Sequence, residues 1–258
     1  MFVVNEWRLI VDGPCEGARN MAVDRAMLDA HAAGEEPPTL RLYSWNRPTV
    51  SLGRFQPLED VDRAACARYG VDLCRRPTGG RGVLHDDELT YAIVAGIRDG
   101  LPRGVSASYR MLCQALVRAF QELGIEAALT ARSRGARSAG ACYLHATPAD
   151  LSLGAAKLSG SAQVWAGESC LQHGSFVLSR DAAREAEIFG LDEEGRAELE
   201  RSTDTIVGAL GVRPSPDVLQ AAVIHGVEQG LSARLTPGSL SDSEMRSADA
   251  NVAAFLVK

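Results

Sequence analysis

Between Ser108 and Leu123 the apolar side chains recur at steps of three and four: Tyr109, Leu112, Leu116, Phe120 and Leu123. That spacing puts them on one stripe and predicts an amphipathic helix packed on a core. Cys113 lies beside the stripe and reads as a core residue. Leu219, Val223 and Val227 set a second helix over Val218–Gly230. Asn20–Leu28 reads as a third, with Asn20 as its cap and Met21 and Leu28 on its apolar face. Asp60–Tyr69 is a short helix that Gly70 can end in the left-handed conformation. The remaining apolar runs are shorter. Trp7–Val11, Leu40–Trp45, Thr49–Gly53, Val71–Arg75 and Leu89–Ile97 read as strands, as do Asp150–Leu153, Lys157–Val164 and Gln172–Leu178. The Asn46-Arg47-Pro48 turn suggests that Leu40–Trp45 and Thr49–Gly53 form a hairpin. Gly154 and Gly167 mark turns, and helices dominate after Asp181. The expectation is one α+β domain over residues 1–258, with a helical C-terminal portion from about 181 to 258.

Composition narrows this picture without changing it. The chain has 258 residues, 46% of them hydrophobic and 23% charged, which supports a buried core and excludes a disordered chain. Lys and Arg number 27 against 33 Asp and Glu, for a net charge of −6. That balance argues against nucleic acid as a partner. No apolar stretch is long enough to span a membrane, and the N-terminus has no secretory pattern. The six cysteines are scattered, with no Cys-x-x-Cys pair. Reduced thiols in the cytoplasm are expected.

Three places carry candidate chemistry. The first is Arg75-Arg76-Pro77-Thr78-Gly79-Gly80-Arg81-Gly82-Val83-Leu84-His85, which joins two strands. Glycines let a backbone approach a ligand and offer it N–H groups. It is neither a P-loop nor a dinucleotide fingerprint. A plain tight turn is the alternative, although a turn has little need of Arg75, Arg76, Arg81 and His85. The second is Cys142, which follows the arginine-rich segment 130–140. Nearby arginines, and His145, would favour its thiolate; a bystander thiol is the alternative. Cys142 with His145 and Cys170 with His173 could also be paired as zinc ligands. Residues three apart in a strand face opposite ways, however, so no metal is expected there. The third is Lys157, beside Ser159, Gly160 and Ser161. It could reach a carbonyl or phosphate oxygen, or stand solvated at a strand edge.

These segments resemble the biotin/lipoate A/B protein ligase family, and within it the cysteine-dependent octanoyltransferases. The resemblance spans nearly the whole chain. It rests on Asn20-Met21-Ala22-Val23-Asp24, Pro48–Gln56, Arg75–Asp86, Lys157–Gln163, Leu171–Ser175, and the ending at Leu235–Pro237 and Ser241–Glu244. It implies a mixed β-sheet core with packed helices, as in the class II synthetase-like catalytic domain of biotin and lipoate ligases. Cys142, fifteen residues before Lys157, matches the nucleophile, and Lys157 would hold the acyl carbonyl. Arg76, Thr78, Gly79, Gly80, Arg81, Gly82 and Val83 would line an acyl tunnel with His85 at one side. Ser159, Gly160, Ser161, Ala162, His173 and Gly174 would complete the substrate site.

The implied reaction moves octanoyl from acyl carrier protein to a lysine of the glycine cleavage H protein or another lipoyl domain. It passes through a cysteine thioester and needs no cofactor, because the donor is already activated. His85 or His145 could handle the proton. An ATP-dependent lipoate ligase, a lipoyl-domain amidotransferase and a non-enzymatic acyl-binding protein are the alternatives. Ligases commonly add an accessory domain, for which this chain leaves no residues. Arg132, Arg134 and Arg137, with Arg103 near them, are candidates for docking the acidic carrier.

Overall fold

The computed structural model describes residues 5–130, 141 and 150–257. The chain begins with β1 (Asn5–Cys15), α1 (Gly17–Ala33), β2 (Thr39–Trp45) and β3 (Thr49–Leu52). It continues through α2 (Arg63–Tyr69), β4 (Asp72–Arg75), β5 (Val83–His85), β6 (Glu88–Gly96) and α3 (Val105–Glu122). Next come β7 (Ala128–Leu129), β8 (Leu151–Leu153), β9 (Ala156–Ser159), β10 (Ser161–Ala166) and β11 (Ser169–Val177). The rest comprises α4 (Ala182–Ile188), α5 (Glu193–Ser202), α6 (Ile206–Leu210), α7 (Pro216–Leu231), β12 (Ala233–Pro237) and α8 (Asp242–Asn251).

The main sheet runs β10-β11-β6-β2-β1-β12. Strand β6 is antiparallel to β2 and β11, while β1 is parallel to β2 and β12, so the sheet is mixed. All nine residues of β6 are buried, because both faces of the sheet are covered. Alternate side chains serve two cores. Tyr91 and Ile93 enter the one under α3 and α7. Ala92 and Val94 enter the one under α1. Two small sheets, β4-β3-β5 and β7-β8-β9, complete the architecture.

The expected α3 stripe is confirmed, with Leu112, Cys113, Leu116 and Phe120 buried. Gly70 ends α2 with φ of 62°. Four local expectations need correction. Asn20 does not cap α1. It lies inside the helix, fully buried, and its amide donates to Ser44 O while its Oδ1 accepts from Arg41. Strands β2 and β3 form no hairpin: β2 pairs with β6, and β3 pairs with β4 and β5 in another sheet. The extended run at 157–164 breaks at Gly160 into β9 and β10, which belong to different sheets. The helical C-terminal portion contains a strand, β12, that extends the main sheet beside β1. That portion is bound to the rest by α7 packing on α3, α8 packing on α1, and the two-pronged Arg8–Glu244 ion pair. Among the described residues, no helix is long and apolar enough to cross a membrane.

Candidate functional site

An open cleft, with about 400 Å³ of empty space that includes part of the solvent at its mouth, lies between the main sheet and the β4-β3-β5 sheet. Strands β2, β6, β10 and β11 contribute Tyr43, Trp45, Thr90, Ser161, Ala162, His173, Gly174 and Ser175. Gly160 lies between β9 and β10. The facing wall is Ser51 of β3 with Arg76, Val83 and His85, and Met21 of α1 also lines the cleft.

The glycine loop is held in place from within. Arg76, buried at 5% exposure, donates to Ser51 O (2.7 Å), Gly79 O (2.8 Å), Arg81 O (2.7 Å) and Thr78 Oγ1 (3.1 Å). A guanidinium carries five N–H donors in a rigid fork, which suits it to gather several carbonyls. Arg76 therefore shapes the loop as well as lining the cleft. Gly53 fits because it lacks a Cβ, which would stand 2.0 Å from Gly80 O. Gly79 and Gly80 are exposed, and Gly80 takes a φ of 95° that favours glycine. At the far end of the loop, Gly82 bridges Ala141 in parallel register.

Two histidines line the cleft, each fixed between a carboxylate and a hydroxyl. His173 Nδ1 donates to Asp24 Oδ2 (2.9 Å), and its Nε2 meets Thr78 Oγ1 (2.8 Å). Burial pulls the His173 pKa down. Asp24 opposes that, and the positive fields of Arg76 and His85 reinforce it. Asp24 also takes Arg41 Nη1 (2.8 Å) and the Tyr43 hydroxyl (2.9 Å). On the other wall, His85 Nδ1 donates to Glu88 Oε1 (2.7 Å), and its Nε2 lies 2.8 Å from Ser51 Oγ. Its ring stacks on Trp45 at 4.0 Å. Burial would raise the Glu88 carboxyl, but His85 and hydrogen bonds from Thr90 and Ser175 outweigh it and hold the pKa below the usual value.

Lys157 is not a solvated edge residue. It is 3% exposed, and its Nζ lies 3.0 Å from Asp150 Oδ2. The Tyr109 hydroxyl joins Asp150 Oδ1 to Ser161 O at 3.0 and 2.9 Å. Of the expected substrate residues, Arg76, Val83, His85, Gly160, Ser161, Ala162, His173 and Gly174 form the cleft wall. Thr78 and Ser159 stand outside it, bonding His173 Nε2 and Ser175 O, respectively. Gly79, Gly80, Arg81, Gly82 and Lys157 also lie outside the wall. Cys142, His145, Arg132, Arg134 and Arg137 lie outside the described residues. Among the thiols that are described, burial pushes Cys66 up to about 11, and Cys74, Cys113 and Cys170 up to about 12. Such thiols are poor nucleophiles at neutral pH. Cys170 and His173 do face opposite sides of β11: Cys170 packs in the α3–α7 core, while His173 turns to α1.

Sequence reasoning missed Asp24, Arg41, Tyr43, Trp45, Ser51, Glu88, Thr90, Asp150 and Ser175. The available signal was charge in the wrong place. Asp24 sits on an apolar helix face and Arg41 in the middle of an apolar strand.

The profile of the lipoyl protein ligase A/B catalytic domain matches residues 16–228. The chain belongs to that family. Octanoyltransferase LipM of Kyrpidia tusciae is 38% identical to it, over 97% of this chain and 96% of the relative. Octanoyltransferase LipM of Symbiobacterium thermophilum is 39% identical, over 96% and 94%. Among solved structures, lipoate-protein ligase A bound with ATP has a TM-score of 0.80 at 22% identity, covering 96% of this chain and 94% of its own. The Thermoplasma acidophilum bi-partite lipoate protein ligase system scores 0.79 at 22% identity, over 96% and 92%. These structures share the ligase-family fold.

Proposed function

We propose that this chain is an octanoyltransferase of lipoate biosynthesis that works through a thioester on Cys142. The substrate class follows the full-length relatives named octanoyltransferase. The observation that carries the site is the pairing of Gly82 with Ala141. It anchors the chain on the glycine loop one residue before Cys142, and successive Cα atoms are about 3.8 Å apart.

The donor is octanoyl-acyl carrier protein, and the octanoyl chain enters the cleft past Val83 towards Met21 and Trp45. The Cys142 thiolate attacks the thioester carbonyl, the C–S bond to the carrier's phosphopantetheine breaks, and that sulfur leaves as a thiolate that solvent can protonate. The lysine amine of a lipoyl domain, such as the glycine cleavage H protein, then attacks the acyl-Cys142 carbonyl and returns the thiolate. Lys157, buried beside Asp150, and N–H groups of the glycine loop stabilise the oxyanion. His85, aligned by Glu88, takes the proton that the lysine ammonium must lose. A free thiolate suits the reducing cytosol.

The test is mass spectrometry of the intact protein after incubation with octanoyl-carrier protein and no ATP. The expected result is one hydroxylamine-sensitive octanoyl adduct on Cys142, absent from Cys142→Ser. Wild-type transfer by Cys142→Ser would overturn the nucleophile. Product formed only from free octanoate and ATP would favour a ligase.

A further inference from the structure

Among the described residues, many of the arginines are paired with a carboxylate. Arg8 pairs with Glu36 and Glu244, Arg68 with Glu187, Arg184 with Asp86 and Arg213 with Asp87. The outer side of the glycine loop differs. Among the described residues, Arg54, Arg75 and Arg81 form no ion pair with a carboxylate; neither do Arg63, Arg110, Arg118, Arg201 and Arg246, but the first three are tied to one loop, and Arg54 stands next to an exposed aromatic ring. These three are gathered at one place. Arg54 N donates to Thr78 O (2.8 Å), and Arg75 Nη1 donates to Gly53 O (2.7 Å) and Gln56 O (2.8 Å). Arg81 O is held to the same loop by Arg76.

Phe55, between Arg54 and the Gln56 carbonyl that Arg75 holds, has 84% of its surface exposed, and the Arg54 guanidinium lies 5.2 Å from its ring centre. The nearest acids along the chain to Phe55 are Glu59 and Asp60, and Asp60 is engaged by Gln56 Nε2 (3.1 Å); Asp72, three residues before Arg75, faces Arg47 at 3.8 Å. A large exposed aromatic beside uncompensated arginines has the composition of an interface centre rather than of solvated surface.

We infer that Arg54, Phe55, Arg75 and Arg81 form the docking surface for the donor carrier domain, seating its acidic face at the entrance to the cleft. The inference rests on the octanoyltransferase reading. Charge selects the donor over the acceptor. The carrier brings an acidic surface and a phosphodiester at the base of its arm, for which arginine forks are well shaped. The acceptor must present a lysine cation, which these arginines repel. A net charge of −6 disfavours encounter with an acidic partner unless a local positive patch receives it. The loop's inner side, at Arg76 and Val83, lines the cleft, so a carrier seated outside delivers its thioester across the loop.

The experiment compares wild type with Arg54→Glu and with Phe55→Ala, both exposed positions outside the cleft wall. Steady-state transfer is measured with octanoyl-carrier protein and with octanoyl-pantetheine, which has neither carrier surface nor phosphodiester. The expected result for Arg54→Glu is a rise of about tenfold in KM for octanoyl-carrier protein and a flatter salt dependence. Phe55→Ala should give a smaller rise. Turnover from octanoyl-pantetheine and KM for the acceptor should stay at wild-type values. An unchanged carrier KM in both variants would overturn the inference, as would a rise in acceptor KM instead, or an equal loss with both donors. Failure of the wild type to form any acyl-Cys142 from either thioester would reject the functional reading, and this surface with it.

Discussion

The two histidines of the cleft make the same kind of contacts and rest on different foundations. His173 comes from β11 in the main sheet, and its carboxylate partner Asp24 comes from α1, 149 residues away in sequence. Asp24 in turn compensates Arg41, which is 1% exposed. This brace belongs to the core. His85 comes from the three-residue strand β5, and Glu88 lies three residues further along the chain. Its remaining neighbours are hydroxyls and the Trp45 indole, with no buried arginine paired to Glu88. The contrast separates a carboxylate that compensates a buried arginine in the core from one that gathers His85 and the neutral donors of Thr90, Ser175 and Trp45 at the cleft.

The sharpest test of that difference is to remove each carboxylate in turn. Asp24→Ala leaves Arg41 with only the partly exposed Asp12 as a carboxylate partner, beside its neutral hydrogen bonds to Asn20. Breaking a buried pair by removing one partner costs about 3–5 kcal/mol, so urea unfolding should show a loss of that size. A loss below about 1 kcal/mol would place Asp24 outside the core and erase the contrast.

Glu88→Gln should be milder for stability. It keeps the shape and retains acceptors for Thr90, Ser175 and Trp45, while weakening charge-assisted bonds worth about 1.5–3 kcal/mol. Its larger effect should fall on transfer to the acceptor lysine, on the order of tenfold to a hundredfold, if His85 handles the proton. Formation of acyl-Cys142 should be less affected. Equal loss in both half-reactions would make Glu88 a fold residue like Asp24. Smaller again is Trp45→Phe. It keeps a ring against His85 but loses the Nε1 donor to Thr90 Oγ1 (2.8 Å), for a cost of about 1 kcal/mol. Thermal unfolding would register that loss.

The same contrast explains what the sequence could reveal. The Arg75–His85 loop and α3 are legible because their signals are local: glycines among charges, and apolar side chains three and four apart. Partners far apart in sequence are not. Strands β2 and β3 are buried along nearly their whole length, so neither has a polar face to indicate its neighbour. The short Asn46–Pro48 turn then suggests a hairpin, although β3 belongs to another sheet. β12, Ala-Arg-Leu-Thr-Pro, is a mostly exposed edge strand and looks like loop. Asn20 has a capping side chain, but Arg41 and Ser44 draw it into the helix interior. Glu88 could be read as one more loop acid after Asp86 and Asp87. Only the fold shows it facing His85.

The smallest predicted effect is the part of the pH dependence that His173 contributes, which the buried Glu185, its carboxyl raised by burial, opposes at lower pH. Burial lowers its pKa from the ordinary 6.5, so between that value and the lower folded value the unfolded chain binds a proton that the folded chain does not. Stability therefore rises with pH across this interval and is lost as pH falls through about 6.5. Glu88 acts in a separate window. Its folded pKa lies below the ordinary 4.5, so its contribution is intact above that pH and is lost only on further acidification. Urea midpoints of the wild type measured from pH 7.5 down to 5 should decline. His173→Gln, whose amide can still donate to Asp24, should decline less over the same range. An identical decline in both proteins would mean that His173 takes up its proton without opposition from the fold, and the core brace would then lie in Asp24 and Arg41 alone.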